Sequence, residues 1–337
     1  MLRALLEPRC PMAKLYFLPR TLLKDRDDLL RLGWRLEAFA VGLFLDLLRA
    51  LPLQRATAFA RLLFRAIGPH TGVATKLLRN LAIIHPEAPM DELRARARTS
   101  FGWLGVAIAE IAHIGEIRAR MDELVEFEVD PAAADAIADP ERAAVLVTGH
   151  VGPWTLTNLI AGHFGFPLTI VYAPESNPHV RDRILALRSE LPVKLIERDG
   201  SMRALLRELG KGHKIGLASD VRLDGGDLVP LLGHEMETNT VPARLALRQD
   251  CPLIPVTAHR LPGGRFRIVA EAPVTPDDAD APTETRITQM AHGLSSVYER
   301  WIRERPEEWM CMARRWPKAL ELEAVARAEA RMRDRAP

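Results

Sequence analysis

Cysteine is scarce in this chain of 337 residues. Its three cysteines, Cys10, Cys251 and Cys311, are odd in number and far apart in the sequence. A disulfide framework uses an even set of cysteines in a small secreted protein, and a thiolate metal site uses closely spaced ones. The cysteine content therefore argues against both and fits a reducing compartment.

The chain also lacks an excess of charge of either sign. Its 46 lysines and arginines stand against 44 aspartates and glutamates, which gives a net charge of +2. With 48% hydrophobic and 27% charged residues, the composition is typical of a folded protein. It excludes a disordered chain and a polycation that binds nucleic acid through its overall charge.

No long uninterrupted hydrophobic run is present. The most apolar segment, residues 36–51, would form a helix roughly 24 Å long, which is short of the ~30 Å hydrocarbon core of a bilayer. Three charged residues interrupt it: Glu37, Asp46 and Arg49. Because basic residues outnumber acidic ones in residues 1–35, we predict that residues 1–55 are a membrane-associating region whose helix lies in the plane of an anionic leaflet. A helix packed in the core of a soluble protein is the alternative.

Several familiar catalytic motifs are missing. The chain has no GxSxG turn, no GxxxxGK[ST] loop and no GxGxxG after a predicted strand. His234 and Glu235 begin like a zinc-protease helix, but Thr238 occupies the position of the second histidine. The ten histidines show no ligand spacing, so we predict neither a metal nor an organic cofactor.

The pattern after residue 55 indicates one α/β domain over residues 56–320. Apolar residues at helical spacing come first, in residues 56–67 and 90–117. Short strands then alternate with helices, which predicts a central, mainly parallel mixed sheet flanked by helices. The predicted strands are residues 144–149, 168–172, 193–197, 214–219, 253–259 and 265–270. Residues 321–337 are charged and rich in alanine, which indicates a solvated helix or a frayed tail.

A histidine follows the first strong strand of this alternation. His150 comes directly after AVLVTG, and Gly149 and Gly152 on either side allow close approach of the backbone. Pro153 suits the first turn of a following helix. Since ligands bind at the carboxyl ends of strands in α/β sheets, His150 is a candidate site residue, although a lone histidine more often caps a turn.

Several sequence blocks, in order, resemble the bacterial lipid A biosynthesis acyltransferases, members of the HxxxxD/E acyltransferase group. AVLVTGHVGPWTL is similar to their HFGNWE signature. Asn80-Leu81 with the following His-Pro-Glu resembles NL…FPE, and residues 101–110 resemble a Phe-x-x-Leu-Gly…Glu helix. The block PEEWMCMARRW at residues 306–316 is similar to PEQWxWxHRRW. Together the blocks cover about residues 80–316.

The resemblance implies transfer of a fatty acyl group from an acyl carrier protein or coenzyme A thioester to a lipid hydroxyl. His150 would be the general base that removes the hydroxyl proton. Backbone N–H groups around Gly152 would face the oxyanion. The resemblance assigns contacts with substrate to Gly152, Trp154, Arg188, Asp220, Gly233, Thr238 and Arg315.

One departure from the family pattern affects the chemistry. Thr155 stands five positions after His150, where the family has Glu or Asp. A carboxylate from elsewhere could replace the missing acid, and the candidates by position are Asp220, Glu175 and Glu237. Alternatively, the Thr155 hydroxyl orients the ring with a weaker, neutral hydrogen bond. As a third possibility, the chain has lost the chemistry and binds lipid or acyl carrier protein.

We therefore expect an acyltransferase that acts on a lipid A precursor at the cytoplasmic face of the inner membrane. Its partners would be the acyl donor, the lipid acceptor and the membrane surface, with no nucleic acid. A lysophospholipid or another lyso-lipid is the alternative acceptor.

Overall fold

The computed structural model describes residues 27–310 and 312–335. Most of the basic N-terminal residues that were predicted to flank the apolar helix lie outside the described residues. The same holds for Cys10 and Cys311.

The main sheet is mixed and mostly parallel, as the sequence predicts. Its strand order is β1-β9-β8-β2-β5-β3-β4, and β8 and β9 are the antiparallel pair, joined by a turn at residues 262–264. A separate antiparallel hairpin consists of β6 and β7. The strands are β1 Val125–Val129, β2 Ala144–Thr148, β3 Leu168–Tyr172, β4 Lys194–Glu197, β5 Lys214–Ala218, β6 Arg222–Leu231, β7 His234–Thr238, β8 Leu253–Leu261 and β9 Arg265–Ala270.

Helices cover both faces of the sheet. The predicted helix over residues 90–117 is divided at His113, where the side chain bonds to the carbonyls of Ala109 and Leu51 and ends α4. The helices are α1 Asp27–Ala50, α2 Leu53–Ile67, α3 Ala74–Ile84, α4 Met90–Ala112, α5 Ile114–Ala119, α6 Met121–Leu124, α7 Ala134–Ala138, α8 Ile160–Phe164, α9 Pro178–Arg188, α10 Met202–Leu209, α11 Val241–Arg248, α12 Thr283–Glu304 and α13 Lys318–Asp334.

The charged residues inside the apolar N-terminal segment determine which face of α1 packs against its neighbours. Glu37 accepts a hydrogen bond from Asn177 at 2.8 Å, Asp46 pairs with Arg183, and Arg49 pairs with Glu190. All three contacts join α1 to the segment around α9. The opposite face of α1 exposes apolar side chains at helical spacing: Leu32, Leu36, Phe39, Leu43 and Leu47. None of the helices in the described residues is both long enough and apolar enough to cross a bilayer.

Of the solvated helix and the frayed tail that its charge suggests, the C-terminal segment forms a helix, and part of this helix is buried. Helix α13 packs against α3, with Ala324 and Ala328 buried. Its Glu321 is also buried and lies 3.9 Å from Arg79 of α3. Because alanine needs little space, the small residues allow close packing of a helix that is otherwise charged. One face of α13 is therefore packed against α3.

Neighbouring strands set the position of the candidate site. In the parallel pair β2 and β5, Thr148 lies opposite Ala218. His150 and Asp220 are each two residues beyond this last pair, so the segments that follow β2 and β5 leave the sheet side by side. The carboxyl ends of parallel strands share one edge, and both residues therefore lie at that edge.

Candidate active site

The main chain around His150 is held by hydrogen bonds on both sides. Its N–H donates to Oδ2 of Asp220 at 2.9 Å, and its carbonyl accepts from the N–H of Met310 at 2.8 Å. The next residue, Val151, forms an antiparallel bridge with Trp309. Residues 306–310, the return segment, therefore come back from the end of α12 and fix the histidine turn.

The His150 ring makes a short hydrogen bond with Asp220. Nδ1 of the ring lies 2.6 Å from Oδ1 of the carboxylate. The Asp220 side chain is 2% exposed, whereas the His150 side chain is 31% exposed. Because a carboxylate only accepts, Nδ1 carries the proton of the neutral ring and Nε2 keeps its lone pair. This is the arrangement that a general base requires.

Asp220 is held in its ionised form. Burial alone would raise the pKa of this carboxyl, but the charge and hydrogen bond of His150 and the nearby Arg315 guanidinium hold it well below its usual range. The indole Nε1–H of Trp309 also donates to Oδ2 at 2.8 Å. Its two oxygens thus accept from the backbone and ring of His150 and from Trp309.

The basicity of His150 follows from the same contact. Burial lowers the pKa of the imidazole, but the charge and the hydrogen bond of Asp220 outweigh burial and the repulsion from Arg315. The pKa of His150 therefore lies above its ordinary value. A stronger base accepts a hydroxyl proton more readily once the ring is neutral.

Thr155 does not orient the ring in this structure. The Nδ1 hydrogen bond, which the sequence could assign to Thr155 or to a distant carboxylate, goes to Asp220. A carboxylate accepts a stronger hydrogen bond than a hydroxyl, and the register of β2 and β5 places it directly beside the ring. The other two candidate carboxylates have arginine partners, since Glu175 pairs with Arg188 and Glu237 with Arg222.

The histidine borders an open cavity of about 260 Å³. The Trp154 ring lies 5.5 Å from the His150 ring at its wall, and Thr155 also lines it. Arg188 is at the same cavity, ion-paired with Glu175 at 3.0 Å and 5.6 Å from the Tyr172 ring. The apolar part of the wall comes from the sheet and from helices beside it: Ile111, Leu146, Leu168, Ile170, Leu191 and Val256.

Gly152 is required for the backbone path but its N–H is already bonded. Its φ is +66°, and a Cβ there would lie 2.8 Å from the carbonyl oxygen of Ala258. Its N–H donates to the carbonyl of Glu308 at 3.3 Å. An oxyanion would have to displace that hydrogen bond to use the donor that the sequence suggested. Pro153 has no N–H, and the helix that follows it begins as a 3₁₀ helix at Trp154–Leu159 and continues as α8.

The remaining predicted contact residues lie on the other side of Asp220. Gly233 forms the turn of the β6–β7 hairpin with a φ of +80°. Thr238 donates to the carbonyl of Met236 at 3.0 Å and lines a small crevice with Arg315. Arg315 is 3% exposed and lies 5.6 Å from the Trp309 ring. Arg315 therefore lies near the pair formed by His150 and Asp220, whereas Gly233 lies in a turn.

Within the described residues, no group of three or more histidine, cysteine, aspartate or glutamate residues is placed to hold a metal ion. The chemistry offered by this site is that of a histidine and carboxylate dyad beside an apolar cavity.

A model of the bacterial lipid A biosynthesis acyltransferase family matches residues 24–318 of the chain. The chain belongs to this family. No curated protein matches it closely enough to be reported as a relative. All the blocks that carried the resemblance lie within the matched range of this acyltransferase.

The acyltransferase motifs meet in space around the return segment. Asn80 donates to the carbonyl of Ala313 at 2.9 Å, which joins the first motif block to the last. Glu110 binds Arg260, and Arg260 also binds Glu308 of the return segment. Sequence reasoning did not single out Trp309, although it is the tryptophan of the quoted PEEW block. Its position in that block was the one feature of the sequence that could have identified it as a site residue.

Proposed function

We propose that this acyltransferase moves a fatty acyl group from a carrier thioester to a hydroxyl of a lipid A precursor, with His150 as general base and Asp220 as its partner. The observation that carries the proposal is the 2.6 Å hydrogen bond between Nδ1 of His150 and the buried carboxylate. It supports an active enzyme over the impaired homologue, because Asp220 supplies the carboxylate that is missing at position 155.

The chemical step follows from this geometry. Nε2 of His150 removes the proton of the acceptor hydroxyl while the hydroxyl oxygen attacks the thioester carbonyl carbon. Asp220 stabilises the imidazolium that forms, as the corresponding carboxylate does in the Ser-His-Asp triad. When the tetrahedral intermediate collapses, the carbon–sulfur bond breaks and the imidazolium returns its proton to the carrier thiol. The products are an ester and a free thiol, and the base is regenerated.

The cavity beside His150 suits the acyl chain. Its apolar walls remove methylene groups from water, which favours binding by about 0.8 kcal/mol for each group. Arg188 lies at the same cavity and can contact an anionic part of the donor. The donor would be acyl carrier protein or acyl coenzyme A.

The exposed apolar face of α1 supports action at a membrane surface. Phe39 is 72% exposed and Leu36 61%, and Leu62 of the neighbouring α2 is 71% exposed. Contiguous apolar surface of this kind is unusual on a soluble monomer and marks an interaction site. We place the enzyme at the cytoplasmic face of the inner membrane, where this face enters the lipid interface and the acceptor is within reach.

The test is a product assay. Purified protein is incubated with acyl carrier thioesters and with acyl coenzyme A, together with a panel that contains a lipid A precursor and several lysophospholipids. Mass spectrometry of the lipids identifies donor, acceptor and chain length. We expect an acylated lipid A precursor from the wild type and none from His150→Ala.

The matched control for that variant is His292→Ala, which removes an exposed imidazole on α12. It should keep full activity. Acylation of lysophospholipids alone would favour the second acceptor class, and a wild type that binds lipid without turnover would contradict the proposal. Activity retained in His150→Ala would refute the role of the base.

A further inference from the structure

A second cavity, of about 240 Å³, lies at the same edge of the sheet as His150. Arg260 and Leu261, at the carboxyl end of β8, form part of its wall. β8 runs parallel to β2, and the carbonyl of Ala258 contacts the turn at Gly152. The first cavity extends towards β5 and β3, whereas this one extends towards β9. In the strand order, β2, which ends just before His150, lies between β8 and β5.

The second cavity is lined by an arginine that forms no ion pair within the described residues. We count the charged residues that line it together with their ion-pair partners in the described part of the chain. They are Arg61, Arg260 and Arg265 against Glu110, Glu126 and Glu308. Arg61 is the member of this group that has no carboxylate partner among the described residues. The group as a whole is balanced because Arg260 pairs with two carboxylates, Glu110 and Glu308, and the guanidinium of Arg61 is left without such a contact.

Arg61 is held in place by an aromatic ring. Its guanidinium carbon lies 4.5 Å from the centroid of the Trp103 ring, and that of Arg260 lies 5.0 Å from the same centroid. Arg260 is itself fixed by two hydrogen bonds to Glu110, at 2.6 and 2.8 Å. Stacking on an aromatic ring orients a guanidinium and leaves its N–H donors free for an anion. Such preorganisation reduces the entropy lost on binding.

The rest of the cavity suits an amphipathic ligand. Its wall includes the apolar residues Leu53, Val106 and Phe266 and the polar side chains of Gln54 and Thr57. The exposed Phe59 and Leu62 lie on the same helix, α2, within a turn of Arg61. A ligand that places an anionic headgroup at Arg61 could thus keep an acyl chain along the apolar surface of α2.

We infer that this cavity binds a phosphate monoester on the headgroup of the lipid acceptor. The assignment rests on the proposed acyl transfer, because a second substrate must approach His150 from the side that the donor chain does not occupy. Arginine is the side chain best suited to two parallel hydrogen bonds with phosphate oxygens. Arg61 is a binding residue in this assignment and takes no part in the proton transfer.

The experiment measures binding and does not depend on turnover. Mixed micelles contain either an acylated glucosamine 1-phosphate or the same lipid without its phosphate, and the dissociation constant is measured for each. We expect the wild type to bind the phosphorylated lipid about ten-fold more tightly, since hydrogen bonds to charged groups contribute about 1.5–3 kcal/mol and 1.4 kcal/mol is ten-fold. Arg61→Gln should lose this preference.

Arg65→Gln is the matched control, because it removes the same charge one turn further along α2, outside the residues that line the cavity. It should keep the preference. Arg61→Lys should retain part of it, which separates loss of the contact from any loss of folding. The inference would be overturned if Arg61→Gln and Arg65→Gln preferred the phosphorylated lipid to the same extent. It would also be overturned if the wild type showed no preference for that lipid.

Two further arms separate the remaining possibilities. Inorganic phosphate that competes as strongly as the phosphorylated lipid would identify a free-anion site and overturn the assignment to a lipid. His150→Ala should keep the binding preference while it loses turnover. If the acyl transfer proposal fails, the binding measurement still decides whether Arg61 recognises the headgroup phosphate.

Discussion

Replacement of Asp220 by asparagine tests the dyad directly because the two side chains have the same shape. In the native site, Oδ2 accepts from the backbone N–H of His150 at 2.9 Å and from the indole of Trp309 at 2.8 Å, while Oδ1 accepts from the ring. An asparagine has one oxygen and one amino group. With two donors on the Oδ2 side, its oxygen belongs there and its amino group faces the His150 ring.

That orientation changes the tautomer of His150. An amino group at the Oδ1 position donates, so Nδ1 must accept and the ring proton moves to Nε2. The nitrogen that should remove the hydroxyl proton is then already protonated. The equivalent change in a serine protease lowers kcat by about 10⁴-fold, and we expect a loss of the same order here, or about 5.4 kcal/mol of transition-state stabilisation.

The assay is steady-state acyl transfer, together with ¹⁵N NMR of the histidine ring and thermal melting. We expect kcat to fall with little change in KM, and the NMR signals of His150 to show the Nε2–H tautomer. An Asp220→Asn enzyme that keeps activity within ten-fold of the wild type, in a properly folded protein, would refute the dyad.

Three further outcomes are expected. In the proposed mechanism the neutral form of His150 is the active one. Because the pKa of this ring is raised above the ordinary 6.5, kcat/KM should rise with pH to a plateau, with an inflection above that value. In Asp220→Ala any residual activity should inflect at lower pH, because burial then acts without the countercharge. Thr155→Glu should not raise turnover, because the ring N–H is already bonded to Asp220; a gain of more than about ten-fold would show, under the usual scale of acid–base catalysis, that the native dyad is incomplete. Gly216→Ala should shift the product masses towards shorter acyl chains, since the new Cβ would lie 2.7 Å from Cγ2 of Ile170 in the wall of the cavity; unchanged chain length would place the acyl chain elsewhere.

Local patterns were sufficient to predict most of the main sheet. Buried β-branched runs such as residues 168–172 and 265–270 match their strands to the residue. The hairpin of β6 and β7 was not predicted, because β6 has mostly exposed residues and includes two adjacent glycines, Gly225 and Gly226. β6 is ordered by its pairing with β7, and it lacks the alternation of apolar and polar residues by which a strand is recognised in a sequence.

The candidate site shows a similar division. His150 could be singled out because its neighbours in the sequence show that a strand ends there. Asp220 could only be one of three candidates, because its contact depends on β5 lying next to β2, although β3 and β4 come between them in the chain. Trp309 reaches the carboxylate through a segment that has no regular pairing beyond one bridge at Val151. Contacts of this kind depend on tertiary packing, which periodicity does not reveal.

The return segment makes the geometry of the candidate site depend on residues that are synthesised long after His150. His150 and Asp220 are 70 residues apart, and Trp309 follows Asp220 by another 89. A polypeptide that stops short of residue 309 can build the parallel strands but leaves one oxygen of Asp220 without its indole donor and Val151 without its bridge. During synthesis, the His150–Asp220 pair would thus reach this geometry only after residue 309 has left the ribosome.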